Sequence, residues 1–529
     1  MPVSRRGLLA GAVVAGAAAA VPEVANAATT SGTPSAGERV GPQDARFQDL
    51  VQRGQNKRFT ARPDYVRVIR TTDDALQAVQ DAVTSGKRIA VRGGGHGFED
   101  FVDNSEVEVL LDMSPYSEVR WDERYRAFSI GSGATLGNVY RELFFSWGVT
   151  LPGGGCGGVG VGGHFSGGGY GALSRQHGSV VDHLYGVEIV VVDARGRARV
   201  VVATRDNAHR DLWWAHTGGG GGNFGVVTRY LMRSAAASGR VPEESLPKAP
   251  ASLLTSAILY DWKTVDEGQF QRIVRNWFRF YERHNTADSP YASLWGPLIA
   301  SAASAGSFVV TNQMDATVPD ARGLMEAYHA ALIEGLDLKP EVIGPESGPF
   351  WRATALRTDG PMPSTMRQKL KAGYLRKGYT DAQISTMYAA LTDESQTRPE
   401  ASFLLVPYGG KVNTVPSDAT ATPQRDVVAK MVLTTSWEDP KQDAMQLAWM
   451  RKWYGELYKD TGGAPVPNAI NAGSYINYPD VDLADPEFNT SGVPWHDLYY
   501  LGNYPRLRQI KTAWDPRNVF RHKMSIEPL

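Results

Sequence analysis

A single cysteine stands in 529 residues, and it stands among glycines. Cys156 lies within "GGGCGGVGVGGHFSGGGYG", residues 153–171, which also holds His164. His96 closes a second glycine run, "VRGGGHGFEDF", directly after Arg92, Gly93, Gly94 and Gly95. A third run spans Gly218–Gly225. Glycine exposes backbone N–H groups with no side chain in the way, so such loops can cradle phosphate or let the chain approach a large ligand. Each run alone could be a tight turn; three within 135 residues favour a ligand. A thiol in such a loop has little apolar packing to earn there, and a free one is an oxidation hazard outside the cell. A cysteine consumed by a covalent bond is neither.

Other chemistries fit poorly. No Gly-Lys-Ser/Thr follows the glycines, so they are not a Walker-type phosphate loop. Gly158, Gly160 and Gly163 match G-x-G-x-x-G with Asp182 about twenty residues on, but no strand precedes them, as a dinucleotide fingerprint requires. There is no His-Glu-x-x-His and no thiolate set, so no metal site is expected. No Gly-x-Ser-x-Gly elbow occurs. A Cys/His protease using His96, His164 or His177 is at odds with the glycine context.

These loops need elements to hold them. Thr71-Thr72-Asp73 can cap a helix with Ala75, Leu76, Val79, Ala82 and Val83 on one face and Gly86 as its stop. "KRIAVRGGGHG" reads as a strand entering the first glycine loop, and "EVEVLLDM" (106–113) and "YRAFSIGSG" (125–133) as further strands. A helix is predicted from Thr135 to about Trp147. "VEIVVVDARGRARVVV" (187–202) reads as a hairpin turning at Asp193–Gly196. "DLWWAHTGGGGGNFGVVTRYLMR" predicts a helix end, a glycine turn and a strand. Composition shifts near Ala236–Pro250, which marks a domain boundary. Beyond it, "QFQRIVRNWFRFYERH" is an amphipathic helix, and "SFVVTNQM", "SFLLVPYG" and "KMVLTTSW" are strands.

A net charge of −1 gives no basic excess for nucleic acid. The N-terminus has Arg5 and Arg6, a short alanine-rich apolar run and Ala25-Asn26-Ala27. This reads as an export signal of the twin-arginine type, residues 1–27, cleaved after Ala27, with no membrane attachment afterwards. Residues 28–45 read as a disordered lead-in.

The glycine loops carry a family resemblance over residues 45–529. The chain resembles the berberine-bridge-enzyme-like branch of the vanillyl-alcohol-oxidase type flavoproteins, and within it the actinobacterial oxidases of secondary metabolism. The implied fold is α+β: a PCMH-type FAD-binding domain (46–240), a substrate domain of antiparallel sheet covered by helices (241–490), and a C-terminal segment (491–529) returning to the FAD domain. The implied cofactor is FAD attached twice, at His96 through the flavin 8α-methyl and at Cys156 through C6. The matched loops imply cofactor contacts from Arg92, Gly93, Gly94, Gly95, Gly97, Gly162, Gly163, His164, Gly167, Gly222, Val227 and Asn503. Many plant members have Cys-Pro-Thr where this chain has Cys156-Gly157-Gly158, which weakens transfer of their substrate preferences.

"SYINYPDVD" (474–482) resembles the family's Tyr-x-Asn-Tyr-x-Asp segment and implies Tyr478 as catalytic base, with Tyr408 as a second catalytic tyrosine. A phenol titrates near 10, so a base role needs a neighbouring cation; Lys411, in "PYGGK", is the candidate. The implied reaction is oxidation of a secondary alcohol or sugar hydroxyl, on an oligosaccharide or glycosylated natural product. Hydride passes to the flavin and oxygen is reduced to hydrogen peroxide. The alternatives are a flavin-dependent oxidative cyclase or desaturase, or a flavin-binding protein without turnover.

Overall fold

A computed structural model describes residues 38–354, 365–394 and 400–529. The proposed export signal lies outside them. Among the described residues no helix is long and apolar enough to cross a membrane.

Two small sheets carry the glycine loops. The first has β1 (Glu38–Val40), β2 (Tyr65–Val68), β3 (Ile89–Arg92) and β4 (Val109–Asp112) in the order β1-β2-β4-β3. β4 runs parallel to both β2 and β3, and helix Thr72–Thr84 connects β2 to β3. Thr71 caps that helix in a reciprocal box with Asp74, a device that contributes about 1 kcal/mol. β1 corrects the expected disordered lead-in: residues 38–40 pair antiparallel with β2, which supplies partners that composition alone does not reveal.

The second sheet holds β5 (Val119–Asp122), β6 (Ala127–Gly131), β7 (Leu184–Val192), β8 (Ala198–Thr204) and β9 (Val226–Met232), ordered β5-β6-β9-β7-β8 and antiparallel throughout. β7 and β8 form the expected hairpin. Helix Leu136–Trp147 follows β6, capped by Thr135 and ended by Gly148 in the left-handed region.

The third sheet has seven strands. They are β10 (Ser252–Asp261), β11 (Leu298–Ser301), β12 (Ser307–Asp315), β13 (Glu341–Pro349), β14 (Arg367–Leu375), β15 (Ser402–Pro407) and β16 (Ala429–Trp437). Their order is β13-β10-β12-β11-β15-β16-β14, all antiparallel. Helix Glu267–Arg283 buries Phe270, Ile273, Val274, Trp277, Phe280 and Tyr281, the i, i+3, i+4, i+7 spacing of one helical face. Helix Asp443–Leu457 packs on β14 and β16. Residue 240 falls in the connection between β9 and β10, outside all three sheets.

The chain then returns. Helix Tyr504–Trp514 packs against helix Arg210–Ala215. Buried Lys511 donates to the carbonyls of Asn223 and Phe520, both at 2.6 Å, and to Asp515 Oδ2 at 2.7 Å. Ile526 N–H donates to Asn223 Oδ1 at 2.8 Å. The C-terminal segment therefore clamps the third glycine loop.

Candidate active site: a cavity between three glycine loops and the third sheet

A cavity of 520 Å³ runs from the glycine loops to the face of the third sheet. β3 ends in the first loop, which puts His96 on the wall. The Gly153–Gly171 segment supplies Cys156, and helix Val161–Ser166 supplies His164. The two loops touch backbone to backbone: a Cβ on Gly94 would lie 2.3 Å from Gly160 N, and one on Gly160 2.1 Å from Gly94 N. Side chains at either position would push the loops apart. A Cβ on Gly158 would lie 3.1 Å from His96 Nε2, so the imidazole faces the cysteine-bearing loop.

Most of the residues expected at the cofactor line this one cavity: Arg92, Gly93, Gly94, Gly95, His96, Gly97, Cys156, Gly162, Gly163, His164, Gly222 and Val227. Tyr478 lines it as well. Four expectations need correction. Asn503 does not reach the wall; its amide donates to the Ser417 and Thr420 carbonyls. Gly167 sits behind the wall, where a Cβ would collide with Asn477. Tyr408 is buried in a tyrosine cluster with its hydroxyl 2.8 Å from Ser179 Oγ, not on the wall. Lys411 is exposed in a short 3-10 turn, so it cannot serve the base. Arg92 lines the cavity, but its guanidinium is taken up by Asp103 and by the carbonyls of Leu50 and Val51.

The amine beside the tyrosines is Lys430. β16 places Lys430, Val432 and Thr434 on one face, because strand side chains alternate. Val432 and Thr434 line the cavity, with Leu370, Leu404 and Val406 from neighbouring strands. Lys430 Nζ is fully buried and donates no hydrogen bond among the described residues. It lies 3.2 Å from the Tyr170 ring centre, 3.7 Å from Tyr475, 4.2 Å from Tyr408 and 4.6 Å from Tyr374. The hydroxyls of Tyr170 and Tyr478 are 2.9 Å apart. Asn477 donates to the His164 carbonyl and to Tyr475 Oη, both at 2.9 Å, and so ties the Tyr478 segment to the second glycine loop.

Burial governs the titration here. It pushes Tyr478 up to about 12, and the Tyr170 hydrogen bond opposes it. It lowers His96 to about 4 and His164 to about 3, with Lys430 adding to the latter, so both imidazoles are neutral at pH 7. His164 Nε2 then accepts from Gly154 N–H at 3.1 Å. Burial raises the Cys156 thiol. Burial and the Arg425 guanidinium push Lys430 well down, while the four ring faces favour its charged form.

The sequence reading missed Lys430, Tyr170, Tyr475, Asn477, Phe98, Trp295 and His522. The signal for Lys430 was available: a lysine among Ala429, Met431, Val432 and Leu433, the apolar first half of its strand. His522 stacks on Phe101 at 4.1 Å at the far end of the cavity, a contact that joins residues 421 positions apart.

Comparison with known proteins assigns this architecture. The family "Berberine and berberine like" matches residues 474–527, and "FAD binding domain" matches residues 63–201. Aclacinomycin-N/aclacinomycin-A oxidase of Streptomyces galilaeus is 49% identical over 97% of this chain and 93% of its own. The chain belongs to the berberine-bridge-enzyme-like FAD-linked oxidases. Hexose oxidase of Chondrus crispus is 30% identical over 91% of this chain and 93% of its own. The crystal structure of a glycopeptide hexose oxidase complexed with teicoplanin superposes with a TM-score of 0.90 at 51% identity, covering 94% of this chain and 100% of that one. The fold is accordingly the PCMH-type FAD-binding fold with an antiparallel substrate sheet. As a berberine-bridge-enzyme-like oxidase, the chain is an FAD-linked oxidoreductase acting on CH–OH with oxygen as acceptor. The loops fit FAD: two glycine loops in backbone contact line the cavity without side chains, and a neutral imidazole and a thiol stand on the same wall.

Proposed function

We propose that this oxidase acts on a secondary alcohol or sugar hydroxyl of an oligosaccharide or glycosylated natural product, with FAD bound through both His96 and Cys156 and with hydrogen peroxide as co-product. The observation that carries the reading is the Tyr478 hydroxyl, on the cavity wall, 2.9 Å from Tyr170 Oη, whose ring lies over the Lys430 amine. The names of the relatives support it, since they include an aclacinomycin oxidase, a hexose oxidase and a glycopeptide hexose oxidase.

When bound, FAD would supply the two-electron acceptor for the substrate C–H bond, with oxygen as its reoxidant. The chain does the rest. Backbone N–H groups of the glycine loops would hold the FAD diphosphate. The face of Leu370, Leu404, Val406, Val432 and Thr434, with Trp295, receives the substrate and excludes water. Tyr478 accepts the hydroxyl proton. Burial opposes a phenolate there, so the Tyr170 hydroxyl must donate to it. Lys430, beneath the Tyr170 ring, in its protonated form draws electron density from that ring and strengthens it as a donor.

Export completes the proposal: cleavage after Ala27 would leave Ala28 as the first residue of the secreted chain, which N-terminal sequencing reads directly.

Oxygen uptake by the flavin-loaded enzyme on hexoses, disaccharides and glycosylated polyketides tests the reaction. Tyr478→Phe should lower turnover by about 10²–10⁴-fold, the ordinary worth of a general base. Uptake on none of these substrates, or undiminished turnover in the variant, would sink the reading.

A further inference from the structure

Behind the cavity, on the opposite face of edge strand β14, two lysines are sealed from solvent. Lys369 and Lys371 lie two residues apart, each side chain 2% exposed. Lys369 Nζ donates to Glu99 Oε1 at 2.6 Å and Asp480 Oδ1 at 2.7 Å. Lys371 Nζ donates to Asp480 Oδ2 at 2.6 Å and lies 2.8 Å from Asp482 Oδ2. Arg451 closes the outer side, 2.8 Å from Asp482 Oδ1. Three carboxylates thus face three cations.

Stability alone accounts poorly for such a cluster. Taking each ion out of water costs several kcal/mol, and well-packed apolar residues often stabilise as much (~1–4 kcal/mol more in measured replacements). What sets this cluster apart is the pair of segments it joins. Glu99 follows His96 by three residues, and Asp480 follows Tyr478 by two. The same two segments meet again where the Phe98 ring packs edge-on against Tyr478, centroids 5.8 Å apart. Asp480 N–H also donates to Tyr499 Oη at 3.0 Å. The Phe98–Tyr478 contact and the Glu99–Lys369–Asp480 bridge are therefore two rungs between one pair of loops, on either side of a single strand.

We propose that Lys369, with Glu99 and Asp480, is a positioning device that sets the His96 loop and the Tyr478 loop at one spacing. The residue that tethers the flavin and the residue that takes the proton are then adjusted together. The proposal rests on the roles given above to His96 and Tyr478. Short charge-assisted bonds in a low-dielectric interior are stiff and directional, and a 1 Å misplacement near reacting atoms can cost about 10²-fold in rate. Aliphatic packing would hold the loops with less directional control.

The test uses the full-length flavoprotein with Glu99→Gln, Asp480→Asn and Lys369→Met, and Asp443→Asn as control. Asp443 forms an ion pair with Arg367 on the same strand and accepts from Trp437 of β16. Two readouts are taken on folded protein. One is the fraction of chains whose flavin is linked through His96, by peptide mass spectrometry after denaturation. The other is the rising limb of the pH profile for flavin reduction by substrate, with kcat and KM.

Crossed effects are expected. Asp480→Asn, on the tyrosine segment, should lower the His96-linked fraction. Glu99→Gln, on the histidine loop, should move the pH limb and lower kcat by about tenfold or more, with KM little changed, as for an interaction made in the transition state. Asp443→Asn should lower thermal stability alone. Variants that lose stability yet keep wild-type linkage and pH limb would reduce the cluster to a structural one. If Lys369→Met does not fold, the two amide variants, which preserve side-chain size, decide. Undiminished turnover in Tyr478→Phe would overturn the base assignment and leave the His96-linkage arm to decide the coupling.

Discussion

Burial keeps the His96 imidazole neutral with a free lone pair, while it raises the Cys156 thiol and so opposes the thiolate. The two proposed tethers predict a separable loss. Cys156→Ala should leave flavin on the denatured chain through His96 alone, with weakened activity; flavin freed completely on denaturation would contradict both attachments. The tyrosines separate in the same way. Removing the donor in Tyr170→Phe raises the cost of the Tyr478 phenolate. A base acts unprotonated, so the rising limb of flavin reduction, where the rate climbs with pH, should move to higher pH. Lys430→Met should move it in the same direction. Tyr408→Phe should leave the limb in place, because its hydroxyl serves Ser179 and its ring stays beside Lys430. Stopped-flow reduction across pH reads all three.

At the scale of elements, the informative one is the C-terminal helix with its returning turn. Lys511 and Asp515 are both fully buried, and the Asp515 carboxylate accepts from Val519 N–H and Phe520 N–H at 2.9 Å. That turn presents Phe520, Arg521 and His522 to the cavity. Lys511→Met leaves a buried carboxylate without its cation, a loss of about 3–5 kcal/mol. A lowered thermal midpoint is expected, together with weaker flavin retention in a Cys156→Ala background. An unchanged midpoint would mean the turn is held by its backbone bonds alone.

Over the whole molecule, one apolar core runs without interruption from Phe128 and Tyr230 of the second sheet through Leu253, Leu298 and Leu433 of the third to Leu507 and Ile526 at the C-terminus. Polar bridges reinforce it. Arg425 forms a bidentate, buried pair with Asp182, and Arg175 donates to the carbonyls of Tyr408 and His284. A core shared in this way predicts that the FAD-binding and substrate portions unfold together. Differential scanning calorimetry should show a single transition; two resolved transitions would mean the seam is weaker than its packing indicates.

Local rules made much of this legible from the amino-acid chain. The Thr71 cap, the Asp193–Gly196 hairpin, the amphipathic helix from Glu267 and the three glycine loops each depend on residues a few positions apart, where propensity and periodicity act. The glycine runs and the lone cysteine likewise marked the cavity wall, because a loop without side chains has few other uses in such density. What the chain alone left undecided depends on partners hundreds of residues away. Lys430 became the amine of the tyrosine cluster, and Lys411 a solvent-facing residue, only when β16 took its place between β15 and β14. Tyr408 left the reacting site because Ser179, from another sheet's connections, claimed its hydroxyl. Residues 38–40 became a strand because β2 offered an open edge. Lys369 and Lys371, which read locally as the wet face of an edge strand, are buried because Glu99 and Asp480 fold over them from opposite ends of the chain. The ion-paired lysines can be carried inside the protein because their counter-charges arrive with them, and that arrival is a property of the tertiary fold.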